Sequence, residues 1–178
     1  MRRIILIILL FSFQLSFDQG DRGYIINVGD KAPTFQVKNN NDEIFNLKQH
    51  LGKIIMIQFT ASWCSVCMKE MPYIEKEIWQ KYKNNDDFIL IALAKDTEKR
   101  PQKKKEIQNM IDKTNVTYPI MTDHDSQIFE LFAEEKAGVT RNIIIDQNGH
   151  IAFLTRLFEH TEFNEMKSNI DQLLKKKH

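Results

Sequence analysis

Cysteine is scarce in this chain: two residues in 178, Cys64 and Cys67. That excludes a disulfide-stapled framework, and a chain of this length buries a core without one. An excess of charge is missing as well, since 25 lysines and arginines face 24 aspartates and glutamates. Such a balance argues against a nucleic-acid binder. No internal repeat, low-complexity linker or second domain interrupts the chain. Neither a Walker loop, nor G-x-G-x-x-G, nor G-x-S-x-G occurs, so nucleotide, dinucleotide and serine-hydrolase chemistry find no support. An apolar run of the ~20 residues that span a bilayer does not occur either.

The run that does occur is IILIILLFSF, residues 4–13, behind Met1-Arg2-Arg3 and ahead of the more polar QLSFDQG. A basic start followed by a short apolar stretch has the shape of a secretory signal. The expected organisation is a signal peptide over residues 1–20, cut between Ser16 and Gly20, then one domain over 21–178. An uncleaved anchor or a buried helix is the other reading of the run. The expected location is therefore exported, with the periplasm first and a membrane tether if the segment stays attached. Disulfides persist in such compartments.

Along the remainder, KIIMIQFTA (53–61) and DFILIALAKD (87–96) read as strands buried on both faces. Ile74, Ile78 and Tyr82 fall at helical spacing behind the cysteines. Residues 100–115 read as a helix with Pro101 in its first turn. VTYPIMTD and SQIFELFAEE predict a strand and a short helix. NIIIDQNGHIAFLT places Asn148-Gly149 between two strand-forming runs, a hairpin signal. The last helix carries Phe163, Met166, Ile170, Leu173 and Leu174 on one stripe. Strands alternating with helices and closing in a hairpin predict an α/β sandwich with a mixed central sheet.

The two cysteines stand together in FTASWCSVCMKEMP, residues 59–72. A strand ending near Ala61 and a helix starting near Cys64 put that thiol at a helix N-terminus. Free backbone N–H groups and the positive end of the macrodipole stabilise a thiolate there. An unperturbed thiol, with a pKa of ~8.5, is only slightly ionised at neutral pH. Cys67, one turn on and on the same face, is placed to attack a mixed disulfide formed at Cys64. A purely structural bridge would close too small a loop to stabilise much. A metal site needs two further ligands, and His50, His124, His150, His160 and His178 show no ligand spacing. The triplet Asp123-His124-Asp125 reads as a surface loop.

ASWCSVCMKEMP resembles the W-C-x-x-C-x-x-E-x-P signature of the TlpA/ResA-like family, exported thioredoxin-fold thiol–disulfide oxidoreductases. VGDKAPTFQV resembles that family's opening strand, YPIMTD its mid-chain strand and AGVTRNIIIDQNGHI its closing hairpin. The resemblance implies a thioredoxin-like sandwich with an N-terminal extension. It implies that Cys64 attacks, Cys67 resolves and Trp63 covers the site. Glu70 would tune the thiols or handle protons, against the plainer reading of an exposed helix carboxylate. Pro72 would bend the helix after its first turn. No cofactor is implied beyond the redox-active Cys64–Cys67 disulfide, and no metal. The implied partners are disulfide-containing client proteins and a membrane-embedded thiol electron donor, with no nucleic acid.

One departure stands out. Thioredoxin-like proteins carry a cis-proline opposite the cysteines, and alignment on Ile145-Asp146 puts Thr140 in that place. A cis bond ahead of a non-proline costs ~3–4 kcal/mol, so a trans Val139–Thr140 bond is expected. Val139, Thr140 and Arg141 are the expected substrate-facing loop. Arg141 either faces the dithiol, which would favour a peroxiredoxin-like peroxidase using Cys64, or points to solvent from a sheet edge. A metal-binding or chaperone module using both cysteines is the third reading. The basic stretch KDTEKRPQKKKE reads as a solvated face.

Overall fold

A computed structural model describes residues 22–39 and 43–177 of the chain. The expected signal segment, 1–20, lies outside the described residues. Strand β3 (Ile54–Thr60) is buried at every position, as a continuous isoleucine-rich run demands. It is the centre of a five-stranded sheet ordered β5-β4-β3-β6-β7. On one side it pairs in parallel with β4 (Phe88–Lys95), which pairs in parallel with β5 (Ile120–Asp123). On the other it pairs antiparallel with β6 (Arg141–Ile145), which forms the closing hairpin with β7 (Ile151–Arg156). The mixed sheet of a thioredoxin-like sandwich is thus present.

Alternation along β3 sorts its side chains between two layers. Ile54 and Met56 meet Met71 and Ile74 of α1 (Ser65–Ile74), Ile107 and Met110 of α3 (Lys104–Thr114), and Met166 and Ile170 of α4 (His160–Lys176). Ile55, Ile57 and Phe59 meet Phe35, Leu47, Phe129 and Phe132. That second layer is built from the N-terminal segment, with its small hairpin of β1 (Gln36–Lys38) and β2 (Ile44–Asn46), and from residues 128–133. Each fully buried aliphatic or aromatic side chain of this kind contributes about 1.5–3 kcal/mol.

The dithiol helix does not stop at its proline. Past Pro72 the chain widens into a π-helical turn, Glu75–Trp79, and returns to α geometry in α2 (Gln80–Tyr82). Proline has no N–H to close the preceding turn, and the ladder relaxes just beyond it. At the β6–β7 turn Gly149 has φ 83°, and a Cβ there would lie 2.9 Å from Leu51.

Two expected elements differ. Pro101 lies ahead of α3, not in its first turn, because Gln102 is drawn inward: its N–H donates to Asp96 Oδ1 at 2.6 Å. In place of a helix over 126–135, the chain makes a kinked turn at His124–Ser126 and one 3-10 turn at Phe129–Leu131. The Asp123 carboxylate accepts the N–H groups of Ile128 and Phe129, both at 2.8 Å. Asp123 is buried, while His124 and Asp125 are exposed, so the surface loop expected of the triplet holds for its last two residues and fails at Asp123.

Candidate active site

Cys64 is the residue that caps α1. Its backbone is extended (φ −91°, ψ 104°), and its sulfur accepts the N–H of Cys67 at 3.1 Å, where an N-cap oxygen usually sits. The two cysteines are joined, with Cα atoms 5.3 Å apart. Cys64 is 8% exposed and Cys67 fully buried, so only the first offers its sulfur to an incoming group. When the bond is reduced, the same N–H and the helix dipole favour the thiolate at Cys64. The loop ahead of it is pinned by Ser62 N–H donating to Gln102 Oε1 at 2.8 Å.

Thr140 stands directly over the pair. Its hydroxyl oxygen lies 3.2 Å from Cys64 Sγ and 3.3 Å from Cys67 Sγ. No peptide bond among the described residues is cis, so Val139–Thr140 is trans. Both residues are buried. Trp63, next to Cys64, is 41% exposed, and the Arg100 guanidinium lies 4.4 Å above its ring.

Glu70 is not an exposed helix carboxylate. It is 1% exposed and lies between two amides: Asn142 Nδ2 donates to one oxygen at 2.6 Å and Gln58 Nε2 to the other at 3.3 Å. Gln58 in turn accepts the Tyr118 hydroxyl at 2.9 Å, and Asn142 also donates to Thr155 Oγ1 at 2.9 Å. Burial pushes the Glu70 pKa up to about 7, while the two amide hydrogen bonds pull it down. A carboxyl that titrates near neutrality, one helical turn beyond Cys67, can take and return a proton.

The redoxin family model matches residues 27–174, a span that holds the dithiol, Glu70 and Thr140. This chain belongs to the redoxin family. It is 30% identical over 157 residues to the thiol–disulfide oxidoreductase ResA of Oceanobacillus iheyensis, covering 84% of this chain and 77% of that one. A solution structure from Bacteroides thetaiotaomicron, of a candidate protein disulfide isomerase, superposes with a TM-score of 0.80 at 42% identity, over 86% of this chain and 93% of the other. A candidate thiol:disulfide interchange protein DsbE of Chlorobium tepidum, at 22% identity, shares the fold: TM-score 0.70 over 84% of this chain and 99% of the other. The likeness to TlpA/ResA-like proteins read from the motif holds.

Within this redoxin site Arg141 is neither beside the dithiol nor in solvent. It is buried in β6 with its guanidinium turned away. Nε donates to Gly138 O at 2.9 Å and Nη2 to Arg22 O at 2.6 Å, and the group lies 4.3 Å over the Tyr24 ring. Successive strand residues face opposite sides. Thr140 and Asn142 face the dithiol helix, so Arg141 faces the N-terminal layer. Gly23 makes room for it: a Cβ there would lie 2.9 Å from Arg141 Nη2. The peroxidase reading thereby loses its arginine. Among the described residues, no group of three or more His, Cys, Asp or Glu is placed to hold a metal ion, and no helix is long and apolar enough to cross a membrane.

Sequence reasoning missed Gln58, Asn142, Tyr118 and Gln102. A signal was present for the first two. Each is a polar residue inside an otherwise apolar strand, IIMIQFT and RNIII, and buried amides demand partners.

Proposed function

We propose that this redoxin reduces disulfides in client proteins outside the cytoplasm, in the periplasm, with Cys64–Cys67 as its only redox centre. The observation that carries the reading is the arrangement of the sulfurs: Cys64 at the helix cap and slightly exposed, Cys67 buried behind it. The Cys64 thiolate attacks one sulfur of the client disulfide, and the other client sulfur leaves as a thiolate and takes a proton. Cys67 then gives its proton to Glu70 and attacks Cys64 Sγ. The second client thiolate leaves and is protonated in turn. The client gains two electrons and two protons, and the redoxin is left with the Cys64–Cys67 bond of this structure.

Return to the dithiol requires a donor of two electrons. A membrane-embedded thiol donor fits a protein delivered by the apolar N-terminal run, residues 4–13. The test is covalent trapping. Cys67→Ser should accumulate mixed disulfides with clients on non-reducing gels, and Cys64→Ser should abolish turnover. Full activity in Cys64→Ser would sink the mechanism. Faster oxidation of the reduced protein by hydrogen peroxide than by a peptide disulfide would restore the peroxidase reading.

A further inference from the structure

The basic stretch after β4 is mostly exposed, as expected of a solvated face, and part of it lines a groove. Lys99 and Arg100 turn back to form one wall of an open groove of about 530 Å³, with Lys136 and Val139 on the opposite side and Trp63 at the dithiol end. Lys95, Lys99, Arg100 and Lys136 line this groove, against a single acid, Glu135. Asp96, Glu98 and Glu134 belong to the same two loops and are not among its lining residues. The whole chain carries a formal charge of only +1, and residues 95–100 and 134–139 together hold four bases and four acids, so the positive excess is confined to the groove lining.

The groove is also built, not merely charged. Lys95 Nζ donates to Glu135 O at 2.6 Å and lies 3.7 Å over the Phe129 ring, which ties the two loops together. Arg100 is parked on Trp63. A stacked guanidinium keeps its N–H edges free for a carboxylate, and little side-chain freedom remains to be lost on binding. Lys99, Arg100, Lys136 and Gly138 are exposed. No Cβ contact would arise at Gly138 within 4 Å, so a peptide can approach the backbone there. At its inner end, Val139 leads straight to Thr140 and the sulfurs.

We propose that this groove docks the client segment that carries the disulfide, and that the segment bears carboxylates beside its reacting cysteine. The inference rests on the disulfide-exchange reading above and narrows it to a substrate class. Trp63 and Val139 supply apolar contact, and Arg100, Lys99 and Lys136 select acidic over basic flanks. Opposite charge lining a cleft raises encounter rates by roughly 10-fold or more at low salt.

The experiment uses the reduced wild-type protein and peptide disulfides of one length that differ only in their flanking residues: glutamate, serine or lysine. Hydroxyethyl disulfide, small and uncharged, is the control for the chemistry itself. The acidic peptide should be reduced roughly tenfold faster than the lysine peptide at low ionic strength, and high salt should shrink that ratio. Lys99→Glu combined with Lys136→Glu should invert the ratio, a readout internal to each protein sample. Equal rates for all three peptides, with hydroxyethyl disulfide still reduced, would overturn the groove inference and leave the exchange chemistry standing. Failure to reduce any disulfide, the small one included, would overturn both. A preference that persists unchanged at high salt would also refute it, because charge would not be the cause.

Discussion

Replacing Glu70 by glutamine tests the electrostatics of the site without disturbing its packing. The carboxyl is almost wholly buried, and its pKa stands at about 7 in place of 4.5. Below pH 4.5 both folded and unfolded chains hold the proton, and the raised pKa has no effect. As pH climbs from 4.5, the unfolded state ionises first while the folded state keeps its proton. Stability then falls by about 1.4 kcal/mol per pH unit until the folded carboxyl ionises near 7. The loss over that window is about 3 kcal/mol, as an order of magnitude. An amide at position 70 has no such window. Asn142 can turn its own amide to offer Oδ1, which has no hydrogen-bond partner, to the new N–H. The assay is urea unfolding of oxidised wild type and Glu70→Gln from acid to mildly alkaline pH, since disulfide-bonded cysteines do not titrate. Asp123, raised to about 6 by burial, titrates in the same range, but it is common to both proteins and cancels in the difference. The stability of Glu70→Gln relative to wild type should rise by about 3 kcal/mol between pH 4.5 and 7. Parallel curves would refute the assignment of a buried, neutral-range carboxyl.

Thr140→Val should raise the pKa of the reduced Cys64 thiol by about one unit, because a hydrogen bond to a charged group contributes about 1.5–3 kcal/mol. Thr140→Ser should restore it; ultraviolet thiolate absorbance against pH is the readout, and an unchanged valine titration would refute the role of the hydroxyl. Asp123→Ala leaves two buried N–H groups without their acceptor and should cost about 2–5 kcal/mol at neutral pH, read by urea unfolding. Arg141→Met should leave the ratio of rates toward a peptide disulfide and hydrogen peroxide unchanged while altering thermal stability. A fall in the peroxide rate alone would contradict the placement of that guanidinium.

Strands were legible wherever an apolar run was long enough to be buried on both faces. The β3 and β4 runs match their expected spans to within a residue at each end, because a strand buried on both faces takes a near-continuous apolar run, broken in β3 only by Gln58 before its terminal Thr60. The buried stripe of α4 was readable for the same reason, from spacing alone. The connections were harder. The start of α3 and the turns after β5 are decided by single polar side chains, Gln102 and Asp123, that bind backbone groups from the inside. Local propensity favours a helix in both places, and side-chain-to-backbone hydrogen bonds override it, linking Gln102 to distant Ser62 and Asp123 to Ile128 and Phe129 just ahead. Nothing in a hydrophobic pattern marks which glutamine or aspartate will turn inward.

The site shows the same limit at finer grain. The dithiol and its helix follow directly from C-x-x-C behind a buried strand, yet whether Thr140 or Arg141 meets the sulfurs depends on the parity of β6. Pairing sets Asn142 opposite Gln58 and Arg141 opposite Phe59. A register slip of one residue would send the guanidinium to the dithiol and the hydroxyl to the N-terminal layer. The parity can be argued from sequence, although only by treating polar residues in apolar strands as partners in search of one another. Gln58 and Asn142 are both amides at fully buried positions, and Glu70 is a carboxylate on the helix that covers one face of the sheet. If the amides satisfy that carboxylate, Asn142 faces the helix. Thr140, two residues earlier, faces it too, and Arg141 must turn away. The guanidinium then needs carbonyl and aromatic partners on the other face, and Gly138, Arg22 and Tyr24 supply them. The buried polar trio thus decides which side chain touches the reacting sulfurs, before any feature of the cysteines is considered.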